Sequence, residues 1–112
     1  MTRIIAATRT EISVDPTILD LLPVQGSVEL QHDAAGKIHH FHTHPVDEIL
    51  MIVSGRLNFI WDGGEQICGA GDTILLPAGT RHQSEALDDS IYAIATLPPA
   101  KPMKQLEPVS GQ

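Results

Sequence analysis

The chain has 112 residues, of which 42% are hydrophobic and 19% charged, with fourteen acidic side chains against seven basic ones. About 100–150 residues is the usual size of one folded domain, so this length argues against repeat arrays and a second core. A formal net charge of -7 offers no basic surface for a phosphate backbone, which argues against nucleic acid and anionic membrane as partners.

In chain order, Met1 to Arg9 lacks the apolar core of about 7–15 residues that a secretory leader needs, and no run approaches the roughly 20 of a membrane span. The single cysteine, Cys68, cannot make an internal disulfide. It reads as a small buried apolar residue, and the chain as a soluble, cytoplasmic protein. Asp15-Pro16 predicts a short helix, with Asp15 as the cap, Pro16 at the first helical position and Pro23 ending it after about two turns.

Beyond it, Ser27–His32, Ile38–His44, Glu48–Ser54, Arg56–Trp61, Thr73–Leu76 and Ile91–Leu97 read as strands punctuated by turn residues. That is the signature of an all-β barrel or sandwich. Asp62-Gly63 suits a tight hairpin, because a primed turn needs the positive φ that glycine tolerates. Residues 1–26 are expected to form a strand and short helix packed on a barrel of residues 27–97. Residues 98–112, with four prolines, are expected to form an extended strap. In Glu48-Ile-Leu-Met-Ile-Val53 both faces after the glutamate are apolar, so something must cover the outer one. The expectation is a homodimer through Ile49, Met51 and Val53, with the N-terminal segment folding over that face as the other possibility.

The histidines carry the chemistry. Five of the six fall in His39-His40-Phe41-His42-Thr43-His44 and at His82, and His32 reads as a surface residue. Alternate side chains of a strand share a face, so His42 and His44 can converge on one ion, and Glu48 opens the next run within reach of it. A fourth ligand must come from elsewhere, and His82 is the only histidine in the C-terminal half. Three imidazoles and a carboxylate suit iron, manganese, nickel, cobalt, copper or zinc, with two positions left open on an octahedral ion. By the same alternation His40 faces the interior beside the metal, as a substrate contact, an acid/base group or a packed histidine without a role, while His39 points outward. Arg81 and Gln83 should point away from the site. Tyr92 is either a phenolic donor or, more in keeping with its type, a packing residue of the barrel. Leu57, Phe59 and Trp61 share the apolar face of their strand.

These residues resemble the cupins. The first cupin motif, G(X)5HXH(X)3–4E(X)6G, is matched by Gly36, His42, His44, Glu48 and Gly55 with every gap in register. The second, G(X)5PXG(X)2H(X)3N, is matched by Gly71, Pro77, Gly79 and His82, with Ala86 in place of its asparagine. The resemblance covers roughly Ser27 to Leu97. It implies a double-stranded β-helix, or jelly-roll barrel, in which His42, His44, Glu48 and His82 bind a divalent transition metal near the barrel axis. It also implies a small-molecule substrate or ligand. Among cupin chemistries the expectation is a dioxygenase-like oxidoreductase, similar to the small quercetinase-like cupins, acting on an oxygen-rich molecule. A non-oxidative Lewis-acid isomerase, lyase or cyclase, and a metal-assisted binding or sensing module, are the alternatives. Few basic residues lie near the motifs, which disfavours a sugar-phosphate substrate.

Overall fold

The computed structural model describes residues 1–8 and 13–96. The expected strap lies outside these residues. One short helix, α1 (Pro16–Leu21), precedes eight strands: β1 (Val28–Asp33), β2 (Ile38–His42), β3 (Glu48–Ser54), β4 (Arg56–Trp61), β5 (Gly64–Gly69), β6 (Thr73–Leu76), β7 (His82–Ala86) and β8 (Ser90–Thr96). The helix forms for the reason the sequence gives. The Asp15 carboxylate accepts from the Thr17 backbone N–H at 2.8 Å and from the Thr17 hydroxyl, supplying a partner to an orphan donor of the first turn. These bonds hold Asp15 below the usual carboxylate range.

The strands form two antiparallel four-stranded sheets, ordered β1-β8-β3-β6 and β2-β7-β4-β5. This is the jelly-roll sandwich expected from the motifs. Strand alternation then sorts the side chains. Glu48, Leu50 and Ile52 of β3, Leu57, Phe59 and Trp61 of β4, His82, Ser84 and Ala86 of β7, and Ser90, Tyr92 and Ile94 of β8 each fall on one face of their strand. Leu50, Ile52, Leu57, Phe59, Cys68, Leu76, Ala86 and Tyr92 make the core, with Trp61, Ile74 and Ile94 packed against it. Ala86 fits that core with its methyl group. Its backbone accepts from Gly36 N–H at 2.7 Å and donates to Lys37 C=O at 2.9 Å, so the β1–β2 turn is held through the backbone of the residue that replaces the motif asparagine.

Two glycines decide local geometry. Gly55, between β3 and β4, has φ +82°, and a Cβ there would sit 2.4 Å from the Asp89 carbonyl oxygen. Gly79 has φ +80° and donates to His44 C=O at 2.8 Å, while Ala78 N–H donates to the Asp47 carboxylate at 2.8 Å. The loop before β7 is therefore stapled to the loop before β3.

Two expectations need correction. Ile49 and Met51, on the outer face of β3, are each only 9% exposed within a single chain, so they need no partner to leave water. Leu30, Val53 and Ile91 of the same sheet remain exposed, and so do Met1, Ile4 and Ile5 of the N-terminal segment. The second correction concerns β2. Ile38 pairs with Glu85, His39 with Ser84, and His42 with His82, so three steps along β2 answer two along β7. The extra residue is a β-bulge, and it turns His39 and His42 to the same side.

Candidate metal centre

β2, the loop after it, β3 and β7 deliver four polar residues of one cavity. His42 ends β2, His44 lies two residues on, Glu48 begins β3 and His82 begins β7 directly opposite His42. His42, His44 and His82 each offer a ring nitrogen within 4.8 Å of the other two. Their ring centroids lie 4.4 to 5.2 Å apart. His42 donates from Nδ1 to His40 C=O at 2.6 Å and His82 from Nδ1 to Thr80 C=O at 2.8 Å. A proton held at Nδ1 leaves the Nε2 lone pair free, which is the tautomer a metal ligand requires. Glu48 stands beside the triad, with Oε1 3.7 Å from His44 Nε2 and a side chain only 13% exposed. Burial holds the His82 imidazole below its ordinary range, and the neighbouring His42 and His44 add to this, against the Thr80 bond and Glu48. A neutral His82 is a ready ligand. Phe59 stacks on it, with centroids 5.5 Å apart and planes 19° from parallel. The donor set thus fits a borderline metal of the zinc-to-iron range.

The cavity around these residues measures about 240 Å³ and is also lined by Glu29, Gln31, His39, Ser84 and Tyr92. Here the bulge reverses the simple alternation. His40 is exposed and lies outside the cavity, whereas His39 is half-buried and lines it. His39 donates from Nε2 to Asp33 Oδ2 at 2.9 Å, and the Tyr92 hydroxyl donates to the same oxygen at 2.8 Å. Gln31 Nε2 donates to Asp33 Oδ1 at 2.9 Å. Burial pushes the Asp33 carboxyl up, but these three bonds and the adjoining imidazole hold it below the usual range. Burial, and then the bond to Asp33, push the Tyr92 phenol far above its ordinary value, so it stays a donor. Sequence reasoning missed Asp33 and placed His39 outside; a bulge leaves no mark in the residue pattern. Arg81 is exposed as expected, lying 3.9 Å over the Phe41 ring and 3.6 Å from Asp62.

Two face-to-face sheets enclosing a histidine triad define a class of small β-barrel proteins with an imidazole-lined cavity. Residues 27–96 match the Cupin domain family, and the chain belongs to it. It is 33% identical over 61 residues to dimethylsulfoniopropionate lyase DddQ of Ruegeria pomeroyi, a match covering 54% of this chain and 30% of that relative. The solved structure of that lyase superposes with a TM-score of 0.55 at 29% identity, over 60% of this chain and 34% of the lyase. A cupin-2 domain protein from Shewanella frigidimarina superposes with a TM-score of 0.54 at 20% identity, over 60% of this chain and 65% of that one. The chain thus spans about a third of the lyase and just under two thirds of the Shewanella protein, whose likeness speaks to fold alone.

Proposed function

We propose that the protein is a metal-dependent lyase acting on a small carboxylate, with His42, His44, Glu48 and His82 as the metal ligands. The observation that carries this is the triad itself, three imidazoles with two Nδ1 atoms tied to carbonyl oxygens and Nε2 left free for one ion. The likeness to a lyase favours elimination over the oxygen chemistry that the resemblance to quercetinase-like cupins put first. A divalent ion bound there would supply Lewis-acid polarisation of a chelating carboxylate. The chain's own part is to exclude water and orient the substrate. Leu50, Phe59 and Ile94 give the cavity its apolar walls, and Glu29, Gln31 and Ser84 supply polar contacts.

The test is turnover of β-substituted propionates, dimethylsulfoniopropionate among them, by metal-loaded protein in air and under nitrogen, with flavonols and diketones as oxidative probes. Equal rates of alkene formation with and without oxygen, abolished by a chelator, are expected. Turnover that requires oxygen would return the dioxygenase reading. Binding without turnover would point to a sensing module.

The same reading includes a homodimer. Ile4 and Ile5 are 94% and 80% exposed and Leu30 is 57% exposed, more apolar surface than one short chain keeps bare. A reducing, cytoplasmic setting accords with one buried thiol and no second cysteine. Among the described residues no helix is long and apolar enough to cross a membrane.

A further inference from the structure

Three residues that line the cavity and have no part in holding a metal, Gln31, His39 and Tyr92, converge on Asp33. Asp33 is 3% exposed, and a carboxylate so far from water persists only where donors surround it. It has three, from Gln31, His39 and Tyr92. Tyr92 and Gln31 donate to Asp33 and keep no basic atom. His39 differs. With its Nε2–H given to Asp33, its Nδ1 keeps a lone pair, has no hydrogen-bond partner among the described residues, and belongs to a side chain 33% exposed on the wall of the metal cavity. The arrangement is a carboxylate that fixes the tautomer and direction of an imidazole, whose second nitrogen is unpartnered among the described residues on a side chain lining the cavity.

We propose that His39 is the proton-transfer residue of this cavity, with Asp33 and Tyr92 as the positioning residues that fix its ring. The proposal rests on the lyase reading. For a β-substituted carboxylate in the cavity, His39 Nδ1 takes a proton from the carbon next to the carboxylate. The electron pair of that C–H bond becomes the carbon–carbon double bond, and the bond from the β carbon to the leaving group breaks. The leaving group departs with the electron pair of its own broken bond to the β carbon, and the proton on Nδ1 passes to it or to water. The bulge in β2 makes this possible, since regular pairing would send His39 outward and bring His40 in.

The test has two arms. In the first, the histidine rings of zinc-loaded protein are assigned by NMR with single His→Gln variants, and malonate is titrated in as a carboxylate probe. His39 is expected in the Nε2–H form and its ring signals should move with malonate, while those of His40 stay. A His39 ring carrying its proton on Nδ1, or unmoved by malonate, overturns the proposal. In the second arm, His39→Gln should lower kcat on any turned-over compound by about 100-fold or more, the low end of general-base effects. KM should change by less than about three-fold, metal content should be full, and added imidazole should restore part of the rate to His39→Ala. His40→Gln should match the parent. A His39→Gln protein that keeps its kcat overturns the proposal. If no compound is turned over, the lyase reading falls, and the NMR arm alone decides the place of His39.

Discussion

Two cavities of unlike character share Phe59 as their common wall. On one side lies the cavity of about 240 Å³ that holds the histidines, Glu48, Gln31, Ser84 and Tyr92. On the other a larger cavity, about 490 Å³, is lined by Trp61, Cys68, Ile74, Leu75, Leu76 and Pro77 along β4, β5 and β6, with Gln66, Asp72, Thr73 and Thr80 as its polar residues. Burial pushes the Cys68 thiol up, away from reactivity. Volume alone would put the chemistry in the wrong one. What separates the two is density of bonding: the smaller cavity is lined by a buried carboxylate's partners and three converging imidazoles, while the larger is walled mainly by the apolar core that holds the sheets together.

If that division is right, substitutions in the metal site and in the apolar core should fail in different ways. The largest effect is expected from His82→Ala. Removing an outer partner of a metal ligand typically costs about 10–100-fold in affinity, and losing a ligand should cost more, leaving well under one metal per chain by elemental analysis with the fold intact by circular dichroism. Leu57, fully buried in the apolar core, should behave in the opposite manner. Leu57→Ala is expected to lower unfolding stability by about 2–5 kcal/mol through the cavity it leaves, while metal content stays that of the parent. Loss of metal in the second variant, or of folding in the first, would mean that site and core are not independent.

A smaller effect is expected from Tyr92→Phe, which deletes one of the donors to buried Asp33. About 1–3 kcal/mol is the cost of leaving such a group short of a partner, read as a shift in urea midpoint. Smaller still is the pH dependence of the metal-free protein. His82 sits below its ordinary value of 6.5, so the unfolded chain takes up that proton first, and stability should fall as pH drops below about 6.5. Asp33 sits below its ordinary 3.8, so the stability it contributes is full above that value and drains as pH falls through its native one. His82→Gln should erase the first decline and leave the second. Last, the dimer: sedimentation at micromolar concentration should give twice the chain mass, and Ile5→Lys should weaken it if the exposed N-terminal segment takes part.

Much of this was legible in the residues. The helix at Asp15-Pro16, the strands β1, β3, β4, β6 and β8 to within a residue or two, and the convergence of His42, His44 and His82 follow from capping, alternation and motif spacing. β5 was not, because Gly-Glu-Gln-Ile-Cys-Gly puts its only large aliphatic, Ile67, on the exposed side and buries Cys68. β7 was not legible either. Its inward residues are His82, Ser84 and Ala86, polar or small, and they give no apolar rhythm. The Asp33 network draws on β1, β2 and β8, residues up to 59 apart in sequence, and no local pattern announces it.

The bulge in β2 also bears on how relatives of this chain can be compared. His42 and His44 are fixed by their spacing to each other, but everything before them is counted across a one-residue irregularity. A deletion of His40 or Phe41, hardly noticeable in an alignment and silent in the HXH spacing, would restore regular pairing and keep His39 inward, two residues before the motif instead of three. In a relative that pairs regularly without such a deletion, the histidine three residues before the motif faces outward. Function can therefore be transferred by position within the motif, but upstream of it only by register.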